Sequence, residues 1–222
     1  MSRTFTSQAC SHIDTVGTNI LIRGPMPLVG PDLHFAYTEI EQAIDRDLSR
    51  MNFIEIPIID SMIASVELAC LLHVFGIDTN GGPGSLWPWW STDYDPNQFH
   101  GTQFLPDLRG DYVAGHLIWR PFEGLPFGED QETFLISPGW DYCGFIDNLI
   151  DLMSLLTDTA VYMHCLTGRD QVWAAHTGYL MQMYNISLTD AQDRASSSTQ
   201  AGPPNEDCVR LVEAYTARLI EQ

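Results

Sequence analysis

Lysine is absent from this sequence, and all ten of its basic residues are arginines. The arginines face 29 aspartates and glutamates, so the formal net charge is −19. A surface this negative repels nucleic acid and anionic membranes, because both are polyanions. We therefore expect neither nucleic acid nor a membrane as a partner.

Cysteine and histidine occur, but not in the patterns of a disulfide framework or a metal site. The cysteines are odd in number and contain no C-x-x-C pair. None of the seven histidines belongs to an H-E-x-x-H motif. We expect no metal and no cofactor. The cysteines are Cys10, Cys70, Cys143, Cys165 and Cys208.

Long apolar runs are also missing. No stretch reaches the roughly 20 apolar residues of a membrane span. The N-terminal residues 1–19 lack the apolar segment of a signal peptide. These two absences favour a cytoplasmic location.

What is present is an alternation of short apolar runs with amphipathic helix patterns. This alternation is typical of an α/β protein whose central, mostly parallel sheet is flanked by helices on both faces. The predicted strands span residues 18–25, 51–59, 112–119, 133–137 and 160–164, and the predicted helices span 37–51, 61–77, 142–156, 169–184 and 206–222. We treat residues 1–222 as one domain, since this length fits a single core, and two small lobes are the alternative.

An irregular, aromatic-rich insertion at about 79–111 interrupts the pattern. It carries three tryptophans, Trp87, Trp89 and Trp90. Two roles are open for them: they anchor the insertion in the core, or they form a docking surface for a protein partner.

One segment concentrates the features of a reactive site. The buried strand pattern at 160–164 runs into Cys165, and a turn through Gly168 leads into a helix pattern. Backbone amides in such a turn, together with the positive end of the helix dipole, favour a bound anion. The same field favours the thiolate form of Cys165. The alternative is an inert cysteine buried at the end of a strand.

A thiolate at the base of an anion-binding loop is suited to attack on a phosphate ester through a phosphocysteine. Two further parts are then needed. A guanidinium grips the phosphoryl oxygens and stabilises charge in the transition state. An acid protonates the leaving oxygen.

Residues 164–172, HCLTGRDQV, resemble the signature loop of the cysteine-dependent protein tyrosine phosphatase superfamily. The resemblance is to its dual-specificity and atypical branch, whose loop commonly reads HCxxGKDRT. It implies that Cys165 is the nucleophile. We expect His164 to orient the loop by hydrogen bonding; a role as a base is the alternative. The resemblance also implies a phosphate-binding loop made of Leu166, Thr167, Gly168, Arg169, Asp170 and Gln171.

The resemblance further implies a general acid upstream of the cysteine. In the family this aspartate precedes the helix that leads into the cysteine's strand, and Asp141 has that place, 165 − 141 = 24 residues before Cys165. An N-cap of the following helix is the alternative role of Asp141. Asp170 either braces the loop or belongs to the acid machinery.

Two positions depart from the family's pattern. Gln171 stands where the family has its signature arginine, and Val172 stands where a hydroxyl residue assists the departing thiolate. An amide can hydrogen-bond to a phosphate oxygen but is not a planar cationic fork. Losing one preorganised transition-state donor typically costs about 10²–10³ in rate. Arg169 is the one nearby cation in the loop.

Two functions therefore remain open. The first is a catalytically impaired phosphatase-like protein that binds a phosphorylated protein, a small phosphate ligand or a protein partner. The second is an active cysteine phosphatase. In both cases the negative net charge favours a phosphorylated protein over a phosphoinositide or a polyphosphorylated inositol.

Overall fold

The computed structural model describes residues 5–29, 34–58, 105–106, 115–118 and 142–221. The strands are β1 (Ser11–Val16), β2 (Asn19–Pro25), β3 (Leu28–Val29), β4 (His34–Phe35), β5 (Asn52–Pro57), β6 (Leu105–Pro106), β7 (Gly115–Ile118) and β8 (Thr159–Cys165). The helices are α1 (Tyr37–Ile44), α2 (Tyr142–Leu155), α3 (Gln171–Tyr184), α4 (Leu188–Ser197) and α5 (Glu206–Glu221), with a 3-10 turn at Ser7–Ala9.

Six of the described strands form one sheet in the order β1-β2-β8-β5-β7-β6. The four inner strands are parallel to one another, and the edge strands β1 and β6 pair antiparallel with β2 and β7. Every residue of β2 and β8 is buried, as expected for parallel strands covered on both sides. The predicted mostly parallel α/β fold is confirmed.

The register of β2 against β8 sorts the side chains between the two faces of the sheet. Arg23 lies opposite Met163 and Pro25 opposite Cys165. Because successive side chains of a strand point to opposite faces, Arg23, Met163 and Cys165 share one face, and Tyr162 and His164 lie on the other.

Helices cover both faces. On the Tyr162 face, the ring of Tyr37 from α1 packs edge-on against Phe53 of β5, with centroids 5.1 Å apart. On the Cys165 face, Arg23 reaches His176 of α3 and Ala195 of α4. The cysteine loop therefore lies on the face of the sheet that α3 and α4 cover.

Asn19 joins the end of α2 to the start of the central strands. Its side-chain amide donates to the carbonyls of Met153 (3.0 Å) and Leu156 (2.6 Å), and its oxygen accepts from the Thr159 amide (3.1 Å). This buried amide satisfies the open carbonyls at a helix end. The hydrogen bond from Thr159 also fixes the start of β8, which is seven residues long and ends at Cys165.

The sequence predictions differ from the structure at several described places, among them the short strands β3, β4 and β6, which were not predicted. Helix α1 was predicted to reach residue 51 but ends at Ile44, because Asp45 adopts a left-handed conformation (φ 52°). The edge strand β1 was not predicted. The predicted strand 133–137, the helix 61–77 and the insertion's tryptophans lie outside the described residues, and the single-domain assignment stays a prediction.

In the part of the chain that the structure describes, no helix has both the length and the apolar character to cross a bilayer.

Candidate functional site

The candidate site is the turn between β8 and α3. Cys165 is the last residue of β8 and is fully buried, and α3 begins at Gln171. The amides of Trp173 and Ala174 donate to the Asp170 carbonyl and close the first helical turn. Within the described residues, the amides of 166–170 donate to no backbone carbonyl. The turn thus presents amides at a helix N-terminus, which is a favourable arrangement for binding an anion.

The floor of this turn is the end of β2. Gly168 has φ 73°, and a Cβ placed on it would lie 2.8 Å from both the Gly24 carbonyl carbon and the Pro25 nitrogen. A side chain at this position is excluded by space and disfavoured by conformation. Glycine at 168 is therefore a requirement of the tertiary contact as well as of the turn.

Arg23 holds the same turn from inside the protein, and it is not among the site residues predicted from the sequence. Its Nη2 donates to the Gly168 carbonyl at 2.8 Å, and its Nη1 donates to the Ala195 carbonyl at 2.8 Å. The side chain is only 1% exposed. One arginine within the apolar run "ILIRGP" was the available signal, because a charge in a fully buried strand needs a specific environment.

The third contact of Arg23 is with a histidine. Nη1 lies 3.3 Å from Nδ1 of His176, and since arginine only donates, this ring nitrogen accepts. Burial, and then the charge of Arg23, hold the pKa of His176 well below its usual range. Burial lowers the pKa of Arg23 to about 10, so the pair at neutral pH is a cation and a neutral imidazole.

Arg169, the cation within the turn, is engaged by its neighbour. Its Nε and Nη2 donate to the two carboxylate oxygens of Asp170, both at 3.0 Å. These hydrogen bonds raise the pKa of Arg169. The backbone N–H of Asn205 also donates to Asp170 Oδ1, at 2.9 Å. Asp170 thus braces the turn against the start of α5, and its predicted catalytic role stays a prediction.

The two positions that depart from the family's pattern lie in the first turn of α3. Gln171 is half-buried at the start of the helix, and Val172 is fully buried in the hydrophobic core. Position 172 therefore packs as a core residue in this chain, and an apolar side chain suits it.

His164 lies on the other face of the sheet from Cys165. Its Nε2 is 2.8 Å from Oε1 of Glu55 on β5, and both side chains are fully buried. The His164 ring also stacks on Tyr162, with centroids 5.7 Å apart. His164 thus supports the turn through the strand that it shares with Cys165, and its contacts with Glu55 and Tyr162 hold it to β5 and to its own strand.

The remaining predicted site residues are not all in the described part. Asp141 immediately precedes Tyr142, the first residue of α2, but it lies outside the described residues, as do Trp87, Trp89 and Trp90. Their predicted roles stay predictions. Among the described residues, no three His, Cys, Asp or Glu side chains lie together as a candidate metal site.

Comparison with solved structures identifies the class of fold. A kinase associated phosphatase, whose catalytic cysteine is substituted by serine, matches with a TM-score of 0.52 over 100% of this chain and 99% of its own, at 9% identity. A mutant form of the phosphatase Tk-PTP matches with a TM-score of 0.50 over 96% and 98%, at 9% identity. No family model and no curated protein matches the sequence.

The chain thus has an α/β phosphatase fold. More particularly, this is the fold of the cysteine-dependent protein tyrosine phosphatases, and the HCLTGRDQV turn lies between β8 and α3 within it. The resemblance noted in the sequence agrees with this fold.

Proposed function

We propose that this chain is a phosphatase-like protein that binds a phosphorylated protein or a small phosphate ligand at the turn 165–171 and hydrolyses it poorly. The observation that carries the proposal is that neither position 171 nor Arg169 offers the turn an unpaired guanidinium. Gln171 stands in place of the expected arginine, and the Nε and Nη2 of Arg169 both donate to the carboxylate of Asp170.

Binding and catalysis place different demands on this turn. Unpaired amides and the N-terminus of α3 are sufficient to bind an oxyanion. Hydrolysis also needs charge stabilisation that is greater in the transition state than in the ground state. Without a free guanidinium, that stabilisation falls by the amount typical of a lost transition-state donor, about 10²–10³ in rate. The turn is therefore better suited to binding than to turnover.

Val172 adds to this imbalance. A hydroxyl at this position would donate to the sulfur and help the cysteine leave the phosphocysteine. Val172 has no donor and is fully buried. A phosphocysteine at Cys165 would thus be formed slowly and released slowly.

The alternative is an active cysteine phosphatase that uses Arg169. One observation favours it: the Arg169 side chain is 44% exposed and its ion pair is with the adjacent residue. Partly exposed ion pairs contribute only about 0–1 kcal/mol. A phosphate dianion is thus able to compete with Asp170 for this guanidinium.

The charge of the whole protein bears on the ligand. With a net charge of −19, long-range repulsion disfavours polyanions such as phosphoinositides more than a single phosphate on a protein. We propose a phosphorylated protein as the physiological ligand and the cytoplasm as its location.

Turnover of an aryl phosphate tests the proposal, using the wild type, Cys165→Ser, Gln171→Arg and Arg169→Gln. The expected result is negligible activity in the wild type and a Cys165-dependent gain in Gln171→Arg. In parallel, sulfate is titrated into the wild type and the amide NMR signals of 166–171 are followed. Shifts at these amides without turnover support binding without hydrolysis.

The opposite pattern identifies the alternative. Robust wild-type turnover that both Cys165→Ser and Arg169→Gln abolish would establish an active phosphatase with Arg169 as its cation. Absence of both turnover and sulfate-dependent shifts would reject the turn as an anion site.

A further inference from the structure

Arg23 is the one arginine that is buried among the described residues. It lies in β2, all seven residues of which are buried. Moving a charged group from water into such surroundings costs several kcal/mol unless a partner compensates it. The contacts of Arg23 therefore indicate the role of its buried positive charge.

The contacts that the structure gives Arg23 are all neutral. They are the carbonyls of Gly168 and Ala195 and the imidazole of His176. Within the described residues no carboxylate pairs with Arg23, and its Nε has no hydrogen-bond partner. The thiols of Cys165 and Cys10 are the groups whose negative forms interact with its charge. The positive charge is thus held beside the turn without an acidic partner.

Arg23 also sets the orientation of one peptide group in the turn. Its Nη2 binds the Gly168 carbonyl from the core side. In a planar trans peptide the carbonyl and the next N–H point in opposite directions. The Arg169 amide N–H therefore points away from Arg23, to the side where residues 166, 167 and 169 are exposed.

We propose that Arg23 is a positioning residue of the anion site: it fixes the Gly168–Arg169 peptide and supplies, from behind the turn, positive charge that Gln171 does not supply. This inference rests on the proposed function, because it assumes that the turn binds an oxyanion. It differs from that function in assigning part of the binding to a residue on β2, 145 residues away from Gly168.

Sulfate affinity tests the inference, because sulfate keeps its charge across the accessible pH range. Dissociation constants are measured from the NMR shifts of amides 166–170 in the wild type, Arg23→Gln, Arg23→Lys and Arg46→Met. Arg23→Gln keeps a donor but removes the charge, and Arg23→Lys keeps the charge. Arg46→Met removes a charge from an exposed position and is the matched control.

We expect Arg23→Gln to weaken sulfate binding about tenfold or more, which corresponds to about 1.4 kcal/mol. Arg23→Lys should stay within about threefold of the wild type, and Arg46→Met within about twofold, because an exposed charge is screened. If Arg23 only supported the fold, Arg23→Lys and Arg23→Gln would change the sulfate affinity by similar amounts. Thermal unfolding of each variant confirms that the compared proteins are folded.

A second readout needs no substitution, in case Arg23→Gln does not fold. The guanidinium NMR signals of Arg23 in the wild type should shift with sulfate at the same dissociation constant as the turn amides. Unchanged guanidinium signals, or equal sulfate affinity in Arg23→Gln and the wild type, would overturn the role of Arg23 and leave the proposed function standing. No sulfate response at 166–170 in the wild type would overturn both.

Discussion

Gly168 rests directly on the backbone of Gly24, so that a Cβ on Gly168 would lie 2.8 Å from the Gly24 carbonyl carbon. This contact joins the cysteine turn to the end of β2. The position of the turn therefore depends on the neighbouring strand β2 as well as on the sequence of the turn itself. Since Arg23 binds the Gly168 carbonyl at the same place, the residues at the end of β2 hold this peptide from two sides.

Gly168→Ala should destabilise the protein by about 2–4 kcal/mol, since it combines left-handed strain with overpacking against backbone. Gly17→Ala is the matched control: Gly17 has φ 61°, but nothing lies within 4 Å of its added Cβ. That control should lose only about 1 kcal/mol. Urea unfolding measures both, and equal losses would show that the contact with Gly24 is not restrictive.

Asp170→Asn should strengthen sulfate binding by about two- to fivefold, because the Arg169 charge is no longer offset by its bidentate partner. The modest size follows from the exposure of Arg169. Asp193→Asn removes the same charge from an exposed position on α4. A sulfate affinity in Asp170→Asn no higher than in this control would contradict the prediction.

His176 should make the protein less stable as the pH falls below about 6.5. Its folded-state pKa is depressed by burial and then by Arg23, so the unfolded chain takes up a proton at a pH where the folded protein does not. The free energy of unfolding then falls by up to about 1.4 kcal/mol per pH unit. Above the unfolded-state pKa this contribution is fully present.

Urea unfolding between pH 5 and 7.5 checks the slope. His176→Gln keeps an acceptor for Arg23 and should flatten the profile. His12, whose pKa is also lowered, first by burial, contributes in the same direction, so His12→Gln serves as the comparison. Parallel profiles for the wild type and His176→Gln would reject the assignment.

Gly178→Ala should destabilise the protein, although this change inside a helix normally stabilises by about 1 kcal/mol. The added Cβ would meet the Tyr142 hydroxyl and lie 3.0 Å from Cδ1 of Ile146. The hydroxyl is held in place because it donates to the Ala174 carbonyl at 2.5 Å.

Tyr142→Phe removes the hydroxyl and should recover part of that loss in the double variant, while alone it costs about 0.5–1.5 kcal/mol for the lost hydrogen bond. A double-mutant cycle from thermal or urea unfolding gives the coupling. Strictly additive effects would mean that Ile146, and not the hydroxyl, limits the space at Gly178.

Much of the fold around the site was predictable from sequence. The predicted helices at 142–156, 169–184 and 206–222 differ from α2, α3 and α5 by at most two residues at an end. Their apolar periodicity is long and is bounded by turn residues, which is the strongest local signal. The edge strand β1 was missed because its sequence, SHIDTV, does not alternate regularly between apolar and polar residues, and its burial pattern is equally irregular.

The sequence by itself determined the chemistry of the turn: a cysteine at the end of a buried strand, a glycine, a helix start, and an amide at 171 in place of a guanidinium. These features lie within one continuous segment, residues 159–171, where local conformation dominates. Only the tertiary structure decided that the Asp170 carboxylate accepts hydrogen bonds from Arg169 and from the backbone N–H of Asn205, just before α5. It also decided that the buried Arg23 binds the Gly168 carbonyl from the core side. The contacts of Asp170 with Asn205 and of Arg23 with Gly168 depend on strand order and helix packing, which bring together residues far apart in the chain.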